Sequence, residues 1–303
     1  MRTCPNCGSE RVVKKGLRKM KTGTKQIFLC NRCSKRFPSK NDASYPKHIQ
    51  VHAMNLHTMG KNTADIIADI RWRYKVHPSR SSIQRWTSSY GDLRPMVKKR
   101  KKLQGMDEII SEKEFIHHGL PYSYGYNLYK LSFLKDGLKP LKDYLLDMND
   151  LPDFDGSERC SSSSLEIKAK LKFSGNNNLA SRMAKLTQEA SRTNRERHDL
   201  LERFMLVNDS ATIAKEVPVY YYEKNKGSIT GHIDILQVRF NKVHIMDYKP
   251  QAKKERPESQ LYLYARALSF RTGIPLERME CAWFDEFDHI SFSPSKCEIK
   301  WSS

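Results

Sequence analysis

Two CxxC pairs near the start of the chain place the tightest constraint on how it can fold. Cys4 and Cys7 form the first pair, Cys30 and Cys33 form the second, and 22 residues separate the pairs. Four thiolates on two tight turns make a closed tetrahedral site, which is the structural form of zinc binding. We therefore predict a zinc ribbon over residues 1–40 with one structural zinc. Iron in place of zinc stays open, and a redox CxxC would normally occur once, beside a βαβ pattern.

The positive charge of the chain lies in its first third. The 303 residues carry a net charge of +20, and residues 1–104 hold 25 Lys and Arg against 5 Asp and Glu, whereas the remainder holds 29 of each. Such a stretch attracts polyanions, because bound cations are released when Lys and Arg neutralise phosphates. This distribution favours DNA as a partner over a merely solvated basic face.

Residues 41–96 show three short helical periods. Pro46 lies at the start of the first, Asn62 or Thr63 can cap the second, and Ser79 opens the third. The short KVHP turn before the third period is typical of a helix-turn-helix, in which the last helix enters the major groove by its N-terminal residues. Four polar side chains of that helix would then face DNA: Arg80, Ser81, Gln84 and Arg85. The alternative is a small three-helix packing unit with a solvated basic face.

The stretches CPNCGS, FLCNRCSKRF and SRSSIQRW resemble the N-terminal zinc ribbon and helix-turn-helix of insertion-sequence transposases. This resemblance covers about the first 90 residues and implies DNA binding, without indicating a target sequence. Residues 97–160 begin with the basic run VKKRKKLQG and are predicted to be a basic linker and connecting region.

Two β-rich runs in the last third carry charged residues where a plain hairpin would carry apolar ones. With Asn241-Lys242 as a two-residue turn, Asp234 falls opposite Lys249 and Leu236 falls opposite Asp247. Directly opposed residues, and residues two apart, project from the same face, so the two acids and the lysine share one side of the hairpin.

Carboxylates brought together in this way repel each other unless a cation lies between them, and Mg²⁺ or Mn²⁺ suits an all-oxygen site. Lys249 could orient or help deprotonate an attacking water, or neutralise charge on a phosphate. These groups together could hydrolyse a phosphodiester. An edge hairpin with a single Asp–Lys pair on a solvated face would show the same alternation.

The motifs GHID, DYK and QLYLY resemble the RecB-type branch of the PD-(D/E)XK nuclease superfamily, over about residues 195–270. The resemblance implies a multidomain chain that ends in an α/β restriction-endonuclease-like domain with a mixed central sheet, over residues 161–303. It also implies catalytic roles for Asp234, Asp247 and Lys249, together with Gln260 and Tyr264, which share one helix face.

The same resemblance implies further metal contacts. His198, in NRERHDLLERF, matches a helical histidine ligand of this branch, although the glycine that usually precedes it is Asn194 here. Tyr248, between the acid and the lysine, is included with Asp234 and Asp247 in the metal set. Glu216 matches a glutamate that often precedes the GxxD strand in this branch.

Some members of the branch bind an iron–sulfur cluster through four cysteines. Outside the ribbon only Cys160, Cys281 and Cys297 remain, and their spacing does not match that pattern. We expect no iron–sulfur cluster.

The sequence thus predicts a DNA-binding deoxyribonuclease dependent on Mg²⁺ or Mn²⁺. The alternative is a non-catalytic DNA-binding regulator or recruitment factor derived from a mobile element; a transposase with three carboxylates fits less well. Without an apolar run of about 18 residues or a secretory h-region, we expect no membrane partner and a cytoplasmic, nucleoid-associated protein. Endo or exo cleavage, strandedness, RNA as substrate and a homo-oligomer all stay open.

Overall fold

The computed structural model describes residues 4, 7, 9–20, 23–38, 45–106, 108–148, 158–191, 193–223 and 227–301. The chain divides into two compact units, Met1–Lys47 and His48–Ser303. Among the described residues, no helix is both long enough and apolar enough to cross a membrane.

The first unit contains a small antiparallel sheet. Its strands, in the order β1-β2-β3, are β1 (Val12–Met20), β2 (Gly23–Cys30) and β3 (Arg36–Pro38). The ladder of β1 and β2 runs from Val12 with Cys30 to Met20 with Gly23, and residues 21–22 lie outside the described residues. Phe28 is buried and its ring stacks on that of Phe37, with 6.0 Å between centroids, which gives this sheet a small apolar centre.

The second unit is built on a mixed sheet with helices on both faces. The helices are α1 (Lys47–Thr58), α2 (Thr63–Tyr74), α3 (Arg80–Ser88), α4 (Arg100–Leu103), α5 (Leu128–Leu131), α6 (Lys139–Leu146), α7 (Leu179–Gln188), α8 (Asn194–Asn208) and α9 (Glu258–Thr272). The strands are β4 (Ile110–His117), β5 (Leu120–Asn127), β6 (Glu158–Arg159), β7 (Leu165–Lys168), β8 (Lys172–Gly175), β9 (Thr212–Glu223), β10 (Gly227–Arg239), β11 (Lys242–Tyr248), β12 (Met279–Phe284), β13 (Asp288–Phe292) and β14 (Glu298–Trp301).

The strand order of the main sheet is β4-β5-β9-β10-β11-β12-β13-β8, with β6 alongside β10. Most neighbours are antiparallel, but β11 and β12 run parallel, as do β6 and β10. Apolar residues of α9 and α6 pack on one face of the sheet, and those of α1, α7 and α8 pack on the other. The sheet is therefore buried on both sides, and β7 and β14 form a separate two-stranded ladder.

The three helical periods of residues 41–96 are α1, α2 and α3. The Asn62 side chain accepts hydrogen bonds from two amides of α2, and Ser79 accepts one from the Ser82 amide of α3, so both predicted caps are confirmed. Ile83 and Trp86, which lie three residues apart on one face of α3, are buried. The helices belong to the same compact unit as the main sheet, so residue 96 does not end a compact unit.

A single buried arginine joins this helical region to the sheet-packing helix α8. The Arg94 guanidinium donates to the carbonyls of Met54 and Thr87, to the Thr58 hydroxyl and to the Asn208 side-chain oxygen. Burial lowers the pKa of Arg94 to about 10, which leaves it charged at neutral pH. The contacts therefore join α1, α3 and α8 through one cation.

The prediction of a basic linker and connecting region over residues 97–160 needs correction, because this region contributes two strands to the main sheet. Strands β4 and β5 form a hairpin that pairs with β9 through Gly125 and Lys215. Tyr122, Tyr124 and Tyr126 alternate along β5, and Tyr124 is fully buried, with its hydroxyl donating to a carbonyl of α6. Side chains two residues apart on a strand share a face, so these three tyrosines lie on one face of β5, and their packing makes β5 part of the core. Residues 149–157 of the predicted linker lie outside the described residues.

The hairpin of β10 and β11 has a different register from the one predicted. Its turn is Phe240-Asn241, both with positive φ, and Arg239 pairs with Lys242. Leu236 consequently lies opposite Ile245, whereas the predicted register placed it opposite Asp247. The observed register gives an apolar cross-strand pair, which is the more favourable arrangement in a buried sheet. Because the shift is by an even number of residues, every side chain keeps its predicted face.

Candidate metal centres and active site

The four ribbon cysteines converge in the geometry of a metal site. The sulfur atoms of Cys4 and Cys33 are 3.6 Å apart, as are those of Cys7 and Cys30, and all four lie within 4.8 Å of one another. Sulfur atoms around a tetrahedral zinc ion, with Zn–S bonds of about 2.3 Å, are separated by about 3.8 Å. The four cysteines therefore fit a zinc ion, as the sequence predicts.

The ionisation of the cysteines is uneven within this cluster. Burial opposes ionisation of Cys30, but the amides of Cys33 and Arg32 and the neighbouring thiols lower its pKa to about 6. The Ser9 amide lowers the pKa of Cys7, yet burial and the other three thiols raise it to about 12. Cys30 therefore ionises more readily than Cys7, and thiol protons would leave as a metal binds.

We expect Cys30→Ala to release the zinc and unfold the ribbon, because a structural zinc supplies most of the folding free energy of so small a unit. Elemental analysis should give about one zinc equivalent for the wild type and close to none for the variant. Cys297→Ala, which removes a cysteine that lies outside the ribbon, is the matched control and should keep its zinc. A ribbon that stays folded without metal contradicts this account.

The second cluster lies where β10 and β11 diverge. The last ladder pair is Ile235 with Met246, so Asp234 and Asp247 are the next residues along each strand and face one another across the end of the hairpin. Lys249 follows on the same face, and its Nζ lies 2.9 Å from an oxygen of Asp247. Asp247 is 1% exposed, and neither of its oxygens has a well-aligned hydrogen-bond partner among the described residues.

Gly231 is required by the close approach of helix α9. A Cβ atom at this position would lie 2.4 Å from a ring carbon of Tyr264 and 3.1 Å from the sulfur of Cys160. No side chain fits that space, so glycine allows the tyrosine ring to pack on β10 three residues before Asp234. Gln260 donates a 2.6 Å hydrogen bond to the Tyr264 hydroxyl one helical turn away, which fixes the ring.

Helix α8 brings two further side chains that could bind a metal to the same place. His198 Nδ1 lies 3.9 Å from an oxygen of Asp234. Glu202, four residues later and so on the same helix face, has a ligand oxygen within 4.8 Å of those of His198 and Asp234. Glu202 is 1% exposed, and the described part of the chain offers neither of its oxygens a hydrogen-bond partner. We missed it in the sequence, although its i,i+4 spacing from His198 was a visible signal.

Burial and mutual repulsion keep the acids of this cluster from ionising freely. Burial raises the pKa of Asp247 well above its usual range, and Asp234 raises it further while Lys249 opposes both. Burial likewise raises the pKa of Asp234 and, together with Glu216 and Asp234, that of Glu202. Three carboxyls in one place, with raised pKa values, make a site whose ionised form requires cations.

We expect Glu202→Gln to stabilise the protein when it carries ribbon zinc but no other metal, and to do so more at pH 8 than at pH 4. Burial raises the pKa of Glu202 in the folded state, and at low pH this carboxyl is protonated in both the folded and the unfolded state. As the pH rises above about 4, the carboxyl ionises first in the unfolded state, so the wild-type folded state becomes progressively less stable until the folded pKa is passed. Thermal unfolding over this range measures the difference from the wild type. A difference that does not change with pH would refute the assignment of a strained carboxyl here.

The hydroxyl of Tyr248 points away from the acids. It donates to Glu286 at 2.6 Å and accepts from Arg197 at 3.1 Å, on the opposite face of the sheet from Asp247. Any metal contact by Tyr248 would therefore use its main-chain carbonyl. The hydroxyl instead ties β11 to Arg197 of α8, next to His198, whose ring packs edge-on against the tyrosine at 5.0 Å.

A cavity of about 800 Å³ opens onto the cluster. Lys249, Gln260 and Tyr264 line one part of it with Asp234 and His198. The rest of the lining includes four cationic side chains, Arg159, Arg195, Arg203 and Lys215, and also Glu112 and Glu114. Glu112 pairs with Arg203 and Lys215, which leaves Arg159 and Arg195 as the cations available to a phosphate group at the wall of the cavity.

The four residues predicted to face DNA lie together on α3. The side chains of Arg80, Ser81, Gln84 and Arg85 are all exposed, while Ile83 and Trp86 hold the other face of the helix in the core. This surface belongs to α3 and is separate from the residues that line the cavity.

Comparison with protein-family models, curated proteins and solved structures finds no match for this chain. The functional argument therefore depends on the residues and their geometry.

Proposed function

We propose that the protein is a DNA-binding, metal-dependent nuclease of the RecB-like branch of the PD-(D/E)XK superfamily, with a restriction-endonuclease-like fold in its C-terminal part. One observation carries the proposal. Glu202 is nearly inaccessible, and neither of its oxygens has a hydrogen-bond partner within the described residues. It converges with His198 and Asp234, and Asp234 faces the equally buried Asp247, which pairs with Lys249. A buried carboxylate without partners is costly unless it binds a cation.

The donor set fits the metal that the resemblance implies. Carboxylate oxygens from Glu202, Asp234 and Asp247 with one imidazole from His198 suit Mn²⁺, and also Mg²⁺. When bound, such an ion would supply Lewis acidity at a phosphate oxygen and a water acidic enough to attack at neutral pH.

The protein side chains around the acids have separate parts in the proposed reaction. Burial lowers the pKa of Lys249, but Asp247 and Asp234 outweigh this effect and raise it overall, so the side chain is a cation at the cavity wall. A fixed ammonium there would stabilise negative charge that develops on the phosphate. Tyr264 and Gln260 position β10 through the contact at Gly231, and the arginines of the wall would orient the phosphate backbone.

DNA binding is assigned to the basic first third of the chain and to α3. The exposed N-terminal residues of α3, after its Ser79 cap, would enter the major groove, and the excess of 20 positive charges over residues 1–104 would supply the affinity. The chemistry and most of the affinity are thus assigned to different residues.

We expect substitutions on α3 and in the basic run that follows it to act differently. Gln84→Ala or Arg85→Ala should reduce preference for one sequence, since a base contact contributes about 1–3 kcal/mol. Lys98→Ala or Lys99→Ala should weaken binding to all sequences alike and flatten its salt dependence. Binding to selected and random duplexes at several salt concentrations separates the two effects. Equal behaviour of all four variants would show that α3 does not contact bases.

Incubating the full-length protein with labelled linear and circular DNA, single- and double-stranded, tests the proposal. We expect cleavage with Mg²⁺ or Mn²⁺ and none with EDTA, and the product ends would distinguish endo from exo cleavage. RNA of the same sequence is included as a competing substrate. DNA binding without cleavage of any form would favour the regulator derived from a mobile element.

A further inference from the structure

Three polar side chains form a closed network on the opposite face of the main sheet from Asp247. The Tyr248 hydroxyl donates to Glu286 at 2.6 Å and accepts from Arg197 at 3.1 Å, and Arg197 lies 3.7 Å from the same oxygen of Glu286. Glu286 is 5% exposed, and the fully buried Tyr248 ring belongs to the apolar layer between the sheet and α8. Hydrogen bonds in such surroundings are strong, because the protein interior screens them little. We call Arg197, Tyr248 and Glu286 the tyrosine network.

Each member of the tyrosine network belongs to a different element around the candidate site. Arg197 precedes His198 on α8, and Tyr248 follows Asp247 on β11. Glu286 lies in the turn between β12 and β13. The network therefore connects the helix that carries His198 to the strand that carries Asp247.

The turn that carries Glu286 is itself held in place by hydrogen bonds. Asp285 accepts from two amides of the turn through one oxygen and from the Ala252 amide through the other. The Lys249 amide donates to the Phe284 carbonyl at 3.0 Å. These bonds join the turn to the residues that follow β11, so the Tyr248 hydroxyl has an acceptor in a fixed position.

Apolar packing alone does not fix the position of α8 along β11. Leu201 and Phe204 hold the helix on the sheet through contacts that have no preferred direction. The hydrogen bonds of Tyr248 have a preferred direction and length. They act beside the place where accuracy matters, because His198 Nδ1 lies 3.9 Å from an oxygen of Asp234 on β10. A displacement of about 1 Å near a reacting centre can lower a rate by a factor of about 10².

We propose that Arg197 and Glu286 are positioning residues of the metal site, which act through the Tyr248 hydroxyl to hold the metal-binding residues of α8 at a fixed distance from those of β10 and β11. The inference rests on the proposed function, because the acids must bind metal for their spacing to matter. The described residues that line the cavity include no member of the tyrosine network. Loss of the network should therefore weaken metal binding and slow the chemical step, and leave the affinity for DNA unchanged.

Tyr248→Phe tests the network, since it removes the hydroxyl and keeps both the ring beside His198 and the main-chain carbonyl. Calorimetry on the full chain, with ribbon zinc determined separately, should show the Kd for Mn²⁺ raised by a factor of about 10–100. The kcat for DNA cleavage should fall by a similar factor while KM stays unchanged. Glu286→Leu should have the same effects, whereas Glu286→Gln keeps an acceptor for the hydroxyl and should stay within about threefold of wild type.

Tyr124→Phe is the matched control, because Tyr124 is also fully buried and its hydroxyl donates at 2.7 Å to the Leu145 carbonyl. Its loss should lower the thermal stability about as much as Tyr248→Phe does, and should leave the Mn²⁺ affinity and kcat at their wild-type values. Equal loss of Mn²⁺ affinity in the two variants would overturn the proposal.

Wild-type Mn²⁺ affinity and kcat in Tyr248→Phe would also overturn it and reduce the network to a stabilising one. If Glu286→Leu fails to fold, Tyr248→Phe decides. Wild type that binds Mn²⁺ and does not cleave DNA would refute the nuclease alone, and the Mn²⁺ affinities of the variants would still decide the role of the network. No Mn²⁺ binding by wild type would overturn both.

Discussion

Asp247→Ala is expected to reduce metal-dependent DNA cleavage by a factor on the order of 10² or more, because it removes a carboxylate that would hold the metal ion at the reacting phosphate. Lys249→Ala should reduce cleavage by a similar factor, because it removes the ammonium that would stabilise negative charge on the phosphate. Asp247→Ala should also weaken Mn²⁺ binding measured by calorimetry, whereas Lys249→Ala should leave it nearly intact, since the ammonium is not a ligand. His198→Ala should lower metal affinity by an intermediate amount.

DNA affinity should survive all three substitutions, because the excess positive charge lies in residues 1–104. Glu298→Ala is the matched control for loss of an acid, since Glu298 forms an exposed pair with Lys168 and should change neither cleavage nor metal binding. Equal Mn²⁺ affinity of wild type and Asp247→Ala would show that this acid is not a ligand.

Arg94→Met is expected to lower the free energy of unfolding of the second compact unit by on the order of 3 kcal/mol. The methionine fills part of the volume but removes the guanidinium donor from the carbonyls of Met54 and Thr87 and from the Asn208 side-chain oxygen. The Thr58 hydroxyl can still donate to Asn208 or to Met54, so the Thr87 carbonyl loses most. Each buried acceptor that loses its partner costs about 1–3 kcal/mol, offset in part by removal of a buried charge.

Urea unfolding followed by tryptophan fluorescence measures this effect. Arg85→Met, at an exposed position of α3, is the control and should stay within about 0.5 kcal/mol of wild type. Burial, with Arg94, lowers the pKa of His57 to about 4, so the neighbouring imidazole stays neutral and does not complicate measurements at pH 7. A loss below about 1 kcal/mol for Arg94→Met would show that the buried guanidinium does not stabilise the junction of α1, α3 and α8.

Local chemistry made the helical region predictable. Asn62 and Ser79 cap helices because their side chains satisfy free amides at a helix start, and this depends only on a few neighbouring residues. The sharing of one face by Asp234, Asp247 and Lys249 was predictable for a similar reason. Strand alternation has a period of two, and an error of two residues in register leaves it unchanged.

Long-range contacts explain what the sequence could not predict. The choice between Phe240-Asn241 and Asn241-Lys242 as the turn depended on partners across the sheet. The observed turn, Phe240-Asn241, has positive φ at both residues and leaves the Phe240 side chain 99% exposed. The role of β4 and β5 depended on pairing with β9, nearly 90 residues away. Glu216 lines the cavity with φ of 47°, a backbone conformation that non-glycine residues rarely adopt and for which local sequence gives no signal.

The most direct test of the central claim is the initial rate of DNA cleavage by wild type and Asp247→Asn, measured side by side in Mn²⁺. The substitution keeps the size of the side chain and removes the charge that would bind the ion. The account predicts cleavage by wild type that stops on adding EDTA, and a rate for Asp247→Asn lower by a factor on the order of 10² or more, with unchanged DNA binding. Cleavage by Asp247→Asn at the wild-type rate would contradict it.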